Sequence, residues 1–292
     1  MSTNRTLRFD SVGEDVLQVK QHLLELGCYA QNITAVTSDR FGSDTRNAVL
    51  TFQARNALAA DGIVGTQTWA ALFPKSAAVA EPRGEIPANI GAAAAGVINQ
   101  ALAGANETRR GIVLDALQFA YDSALPREYP TSLYIRGGNL YNADLSPNII
   151  TLARIESGAL RQPEYYDGGR RGMMERAVAE NPAITGADCS GGVVGLLRHA
   201  GVVKPKFDLA ADGFAASKSV RRVEESELLP ADLLHKTGHI GLYVGGGFAV
   251  EWMGGAYGCQ LTRLNARRGW NFVKHREERF GAWTGFLRPS WY

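Results

Sequence analysis

The chain has 292 residues, with 31 lysines and arginines against 29 aspartates and glutamates and a formal net charge of +2. That length holds two domains, or one large domain with a satellite, and so small a charge excludes the concentrated basic face of a bulk nucleic-acid binder. With 45% hydrophobic residues and no apolar run near the length of a membrane span, the composition is that of an ordinary globular protein, with no membrane partner and a monomer expected.

The N-terminus, "MSTNRTLRFDSVGED", has no apolar stretch of the secretory kind. The expectation is synthesis in the cytoplasm without a signal peptide. Over residues 7–73, Val16, Val19, Leu23 and Leu26 recur at three- and four-residue steps and make one apolar helix face. Ala48, Val49 and Phe52 do the same for a second helix, and "ADGIVG" punctuates the chain before a third. "FGSDTRNAV" and "VGTQTWAAL" are near-repeats, and Ser43 or Asp44 and Thr66 are expected to cap the helices that start there. Residues 1–75 are therefore expected to form a small all-α three-helix domain. Residues 76–110 are rich in Ala, Pro and Gly and read as a linker holding at most a short alanine-rich helix. Residues 111–292 begin with amphipathic helices, and 219–292 turn to short β-branched and aromatic runs between glycines. Helices first and strands afterwards predict an α+β domain.

Cys28, Cys189 and Cys259 are widely spaced and odd in number, which is neither a disulfide framework nor a zinc pattern. Of the five histidines only His235 and His239 stand four residues apart, and they flank the start of a predicted strand and not a helix, so no metal and no cofactor are expected. Cys189, in "ITGADCSGGVVGLLRHAG", falls at the predicted start of a buried helix. Unsatisfied N–H groups and the positive end of the helix dipole there favour the thiolate, the form that attacks a carbonyl carbon. Such a nucleophile needs a base, and the base needs an orienting group. "GHIGLYVGGGFAVEWMGG" reads as a hairpin with a turn at glycines 245–247. A three-residue loop puts Val244 opposite Phe248 and His239 opposite Met253, with Glu251 diagonal to His239 on the same face at roughly 7–8 Å between Cα atoms. A two-residue loop would break that parity. His235 is a rival base, set aside because it precedes the predicted strand.

Two resemblances sharpen this reading. "VGEDVLQVKQHLLELGCY", "FGSDTRNAVLTFQARNAL" and "DGIVGTQTWAALF" resemble, in order, the peptidoglycan-binding-like three-helix domain, with departures at Cys28 and in the loop "AQNITAVTSDR". "ADCSGGVVGLLRHAGV" and "LLPADLLHKTGHIGLYVGGGFAVEW" resemble the nucleophile helix and the base-bearing strands of the NlpC-type papain-like cell-wall cysteine peptidases, over about residues 150–290. The resemblance implies a papain-like domain over 111–292 with Cys189 as nucleophile, His239 as base and Glu251 in the third position. Glutamate there is a departure from the usual His, Asn or Gln. Gly192 departs from a bulky apolar residue, and Ala231 from the glycine usual before Asp232. The family's site tyrosine falls on Tyr165 in "YYDGG" or Tyr134 in "YIRGG", and Tyr165 is preferred on its helix-then-Pro-Tyr order and its nearness to Cys189. Asp188 and Ser190 are implied to bind substrate by holding a free amine.

The implied function is hydrolysis of an amide bond in the stem peptide of bacterial peptidoglycan, first of all the D-glutamyl–diamino acid bond, by a phage or prophage endolysin or a delivered lytic effector. The alternatives are an N-acetylmuramoyl-L-alanine amidase on the same fold and a non-catalytic wall-binding protein. Without a signal peptide, action on the wall is expected after release or delivery.

Overall fold

The computed structural model describes residues 5–29, 38–56, 58–73 and 85–292. It divides into two units, Met1–Ala78 with Thr151–Pro163, and Val79–Ile150 with Glu164–Tyr292. Most of the loop expected to depart from the three-helix pattern, residues 30–37, and the first part of the expected linker, to residue 84, lie outside the described residues.

In the first unit, α1 (Glu14–Glu25), α2 (Ser43–Arg55) and α3 (Thr66–Leu72) follow the predicted apolar spacing. Val16, Val19, Leu23 and Leu26 meet Ala48, Val49 and Phe52 in one core with Trp69 and Leu72. The expected caps are displaced by one residue. Gly42 and Gly65 take the extended N-cap positions without a side-chain bond, so Ser43 and Thr66 become the first helical residues. The glycine turn before α3 is organised by a buried glutamine instead. Gln53 Nε2 donates to Asp61 Oδ1 at 2.8 Å and Thr68 Oγ1 at 3.0 Å, while its Oε1 accepts from the Gly62 N–H at 2.8 Å. The helix α6 (Leu152–Arg161), expected in the C-terminal domain, groups with this unit.

In the second unit, α4 (Ala92–Leu102) and α5 (Glu107–Phe119) precede β1 (Ser132–Tyr134). After α7 (Arg170–Glu180), β2 (Thr185–Ala187) pairs in parallel with β1 and leads into α8 (Cys189–His199) and α9 (Ala211–Ala216). Six strands then form an antiparallel sheet of order β3-β10-β4-β5-β6-β7: β3 (Val220–Val223), β4 (Leu233–Lys236), β5 (His239–Gly245), β6 (Phe248–Trp252), β7 (Cys259–Arg263) and β10 (Gly285–Pro289). A separate hairpin of β8 (Arg268–Asn271) and β9 (Arg276–Arg279) is inserted between β7 and β10. This is the mixed helix-and-sheet architecture expected of an α+β domain.

The strands alternate as a two-sided sheet requires. Leu233, Ile240, Leu242, Val250 and Leu287 enter the main core with Val193, Val194, Leu196 and Leu197 of α8. Leu234, Ala249 and Trp283 form a smaller cluster with Leu264 on the other face. The expected linker is corrected in its second half. Ile90, Ala94, Ile98 and Leu102 belong to the main core, so α4 is an integral helix of this unit. The turn after β3 is held by charge. Asp232, fully buried, accepts from Arg109 Nη1 at 2.9 Å and from Arg288 Nε at 3.0 Å, and the Leu229 N–H donates to the same carboxylate at 3.0 Å. Ala231, beside it, adopts φ +70°, the left-handed region for which glycine is the usual residue.

Candidate active site

The nucleophile candidate stands at a helix start built by its neighbours. Asp188 is the N-cap of α8, and its Oδ1 accepts from the Gly191 N–H at 2.7 Å and from Ser190 Oγ at 3.0 Å. Its Oδ2 accepts from the Gly137 N–H at 2.9 Å, which ties the "YIRGG" loop to the helix. Both carboxylate oxygens are thus engaged within the protein, and Ser190 donates inward. Gly191 and Gly192 are demanded by close approach. A Cβ at Gly191 would lie 1.9 Å from the Gly138 carbonyl oxygen, and one at Gly192 would lie 2.2 Å from Trp252 Cε3. The bulky residue missing at 192 is replaced in space by Trp252.

Cys189 is 7% exposed, and its Sγ lies 3.9 Å from the Gly238 carbonyl oxygen and beside the Ile240 N–H. The thiol is therefore bracketed by the residues before and after His239, at the start of β5. The expectation that the helix start favours the thiolate is corrected. Burial first, and the Asp188 charge second, push the thiol up to about 11, outweighing the N–H groups of Ile240, Ser190 and Cys189 that draw it down. A neighbouring base is needed to ionise it.

His239 and Glu251 are brought together. Across β5 and β6, Leu242 pairs with Val250 and Tyr243 with Ala249, the predicted register for the body of the hairpin. The turn differs from expectation. Gly245 pairs with Phe248 over a two-residue loop, and an extra residue at Val244 forms a bulge that restores the parity. The His239 Nε2–H donates to Glu251 Oε2 at 2.7 Å, leaving Nδ1 without a hydrogen-bond partner among the described residues.

Glu251 is fully buried and has two further donors. Thr262 Oγ1 donates to Oε1 at 2.7 Å, and Arg267 Nε donates to Oε1 at 2.8 Å while its Nη2 bonds Oε2. Burial alone would raise the carboxyl, but Arg267 and then His239 overcome it and hold it at about 2. Trp283 completes the cluster. Its ring stacks on the His239 imidazole at 5.4 Å between centroids, and the Arg267 guanidinium lies 4.2 Å from the centre of the same indole system. The indole N–H is buried without a hydrogen-bond partner among the described residues, so packing holds the ring.

The two candidate tyrosines, the preferred Tyr165 and Tyr134, have different surroundings. Tyr134, at the end of β1, faces Cys189 and Asp188, and burial with those charges raises its hydroxyl pKa. The exposed guanidinium of Arg136 lies 5.2 Å from the Tyr165 ring centre. The order that favoured Tyr165 began with α6, which groups with the other unit. His235 precedes β5, standing on the neighbouring strand β4, and its Nε2 is engaged by Asp212 Oδ1 at 2.8 Å. Arg267, Trp283 and Thr262 were missed. Strand parity could have found Thr262, two residues from Gln260, which pairs with Glu251. Arg267 comes from the connection to an inserted hairpin, which local pattern does not place. Among the described residues no group of three His, Cys, Asp or Glu side chains is arranged to hold a metal ion.

Residues 12–72 match the family described as "Putative peptidoglycan binding domain". No curated protein matches the chain. Among solved structures, the crystal structure of Burkholderia AP3 phage endolysin is 20% identical, over 62% of this chain and 54% of that one, with a TM-score of 0.21. The chain thus spans about half the length of that structure, and a likeness so loose carries no argument about fold or site.

Proposed function

We propose that this chain is a peptidoglycan hydrolase that cleaves an amide bond of the stem peptide with a papain-like Cys189–His239–Glu251 site. The observation that carries the reading is a helix-start thiol lying 3.9 Å from the carbonyl of Gly238, the residue before His239, whose carboxylate-bound imidazole opens β5. The match of residues 12–72 to the peptidoglycan-binding family supplies the substrate class.

His239 Nδ1 takes the thiol proton as sulfur attacks the amide carbonyl. The N–H of Cys189 and the Tyr134 hydroxyl donate to the oxyanion. As the tetrahedral species collapses, the imidazolium gives its proton to the leaving amine and the acyl group stays on sulfur as a thioester. Water, deprotonated by His239, then attacks the thioester and releases the acid and the thiol. Glu251 holds the imidazole in the tautomer and orientation these transfers need and stabilises its charged form.

The bond between D-glutamate and the diamino acid is the preferred target. Arg136, an exposed cation beside Tyr134 and Asp188, suits a substrate with a carboxylate near the scissile amide. The three-helix unit raises the local concentration of wall polymer around the site. Release by a phage or prophage lysis system, or delivery as an effector, brings the enzyme to the wall.

The test is digestion of meso-diaminopimelate-type peptidoglycan with wild type and Cys189→Ala, followed by fragment masses. Fragments ending in γ-D-glutamate, made only by wild type, are expected. Whole stems freed from sugar would move the reading to amidase. Binding without cleavage by either protein would leave a wall-binding module.

A further inference from the structure

We propose that Arg267 is a positioning residue of this site, keeping Glu251 ionised in a fully buried setting so that a carboxylate, and not a carboxylic acid, orients His239. The inference rests on the Cys189–His239–Glu251 reading and adds a fourth member to it. A lone carboxylate with no exposure to water is unstable as an anion and either takes up a proton or acquires a paired cation. Glu251 has such a cation in Arg267, bound through two guanidinium nitrogens, with Thr262 on Oε1. The remaining direction of Oε2 is the His239 Nε2–H.

Arg267 is itself 6% exposed, and its other nitrogen, Nη1, donates to the Gly281 carbonyl at 2.9 Å. Its guanidinium also lies over Trp283, the ring that stacks on His239. One side chain therefore fixes both the acceptor and the aromatic wall of the imidazole. The other titratable groups around the pair do not bond this carboxylate. Cys259, on β7, is a buried thiol held neutral by burial and by the Glu251 charge. Lys236 pairs across from His239 on β4, and Asp212 on α9 is occupied by His235 and the Gly238 N–H. The Cys189 thiol lies against the Gly238 carbonyl, not against this carboxylate.

Without Arg267, burial would drive Glu251 to bind a proton well above its present range, and the neutral acid would no longer support the imidazolium. The thiol, held high on its own, would then lose its proton acceptor as pH falls.

The experiment needs no substrate. Full-length wild type, Arg267→Gln, Glu251→Gln and the double variant are alkylated with iodoacetamide from pH 4 to 9, and Cys189 modification is read by intact mass against Cys189→Ala. Arg267→Gln is expected to move the acid limb of the rate upward by about one pH unit or more, and to leave the limb unmoved when added to Glu251→Gln. Should Arg267→Gln not melt cooperatively, Arg267→Lys carries the same cycle. Lysine lacks the two-pronged geometry, so its limb is expected to move the same way by a few tenths of a unit. A folded variant whose limb coincides with wild type, or one whose limb shifts equally with Glu251 intact and on top of Glu251→Gln, overturns the proposal. Peptidoglycan digested in parallel separates this from the reading it rests on. A shifted limb with wild type inert on peptidoglycan leaves Arg267 its role and removes the substrate. Cys189-dependent cleavage with an unmoved limb does the reverse.

Discussion

Glu251 couples the stability of the second unit to acid. Its carboxyl is held at about 2 against an ordinary value of 4.5, so the folded protein binds its proton later than the unfolded chain. A depressed carboxyl contributes stability that is fully present above the unfolded value and is lost as pH falls through the folded one. The melting temperature of wild type should therefore exceed that of Glu251→Gln by more at pH 6 than at pH 2.5, as scanning calorimetry would read it. A gap that stays constant over that range would mean the ion pair does not carry the difference. A second residue-scale prediction concerns the nucleophile helix. At Gly192 a methyl group would meet the Trp252 ring at 2.2 Å, whereas at Gly111, inside α5, it would meet nothing within 4 Å. Gly192→Ala should destabilise the second unit by about 1–3 kcal/mol. Gly111→Ala should stabilise it by up to ~1 kcal/mol through helix propensity. Equal effects in urea titrations would show that Trp252 yields at no cost.

The hairpin of β5 and β6 shows which part of the site was legible in the sequence. Alternation of apolar residues placed His239 and Glu251 on one face because the core fixes which side of each strand is buried. The turn was not legible, since three consecutive glycines are compatible with several loop lengths and a bulge is decided by backbone packing. Here Gly246 and Gly247 take φ of +60° and +77°, the pair of left-handed residues that a tight two-residue hairpin uses. The helix α4 selects this form, because a Cβ at Gly246 would lie 3.0 Å from the backbone of Val97, while one at Gly247 would meet nothing. Gly247→Ala should then lose only the left-handed strain, about 1 kcal/mol, and Gly246→Ala that amount plus a clash with the helix. The difference between the two in thermal melts isolates the docking of α4 on the turn. Identical losses would show that α4 does not constrain it. The same limit hid Arg267, for it enters from the β7–β8 connection, where Phe280 N–H bonds the Arg267 carbonyl at 3.0 Å and closes the base of the inserted hairpin.

At the scale of the whole molecule each unit has its own main core among the described residues, one of three helices and one of helices on a six-stranded sheet. The first was readable because each helix carries its apolar face at fixed steps. The docking of α4 was not, because an alanine-rich segment has too little side chain to announce a buried face, although the same small residues are what let Ala101 approach Gly245. Two cores imply two tasks with separable stabilities. The smaller core belongs to a chain segment too short to bury much surface, so it is the more easily lost. Phe52 is 2% exposed in it, and truncation of such a side chain costs about 3–5 kcal/mol. That is about the whole of the stability a single core of this size supplies. Phe52→Ala should therefore melt the three-helix unit at growth temperature and abolish co-sedimentation with purified peptidoglycan. Cys189 alkylation and the second unit's melting temperature should stay unchanged. A parallel fall in alkylation would mean that the two cores unfold as one body. Retained sedimentation would move the affinity for the wall to the second unit, where Arg136 and the face around Cys189 would then be the surface that holds it.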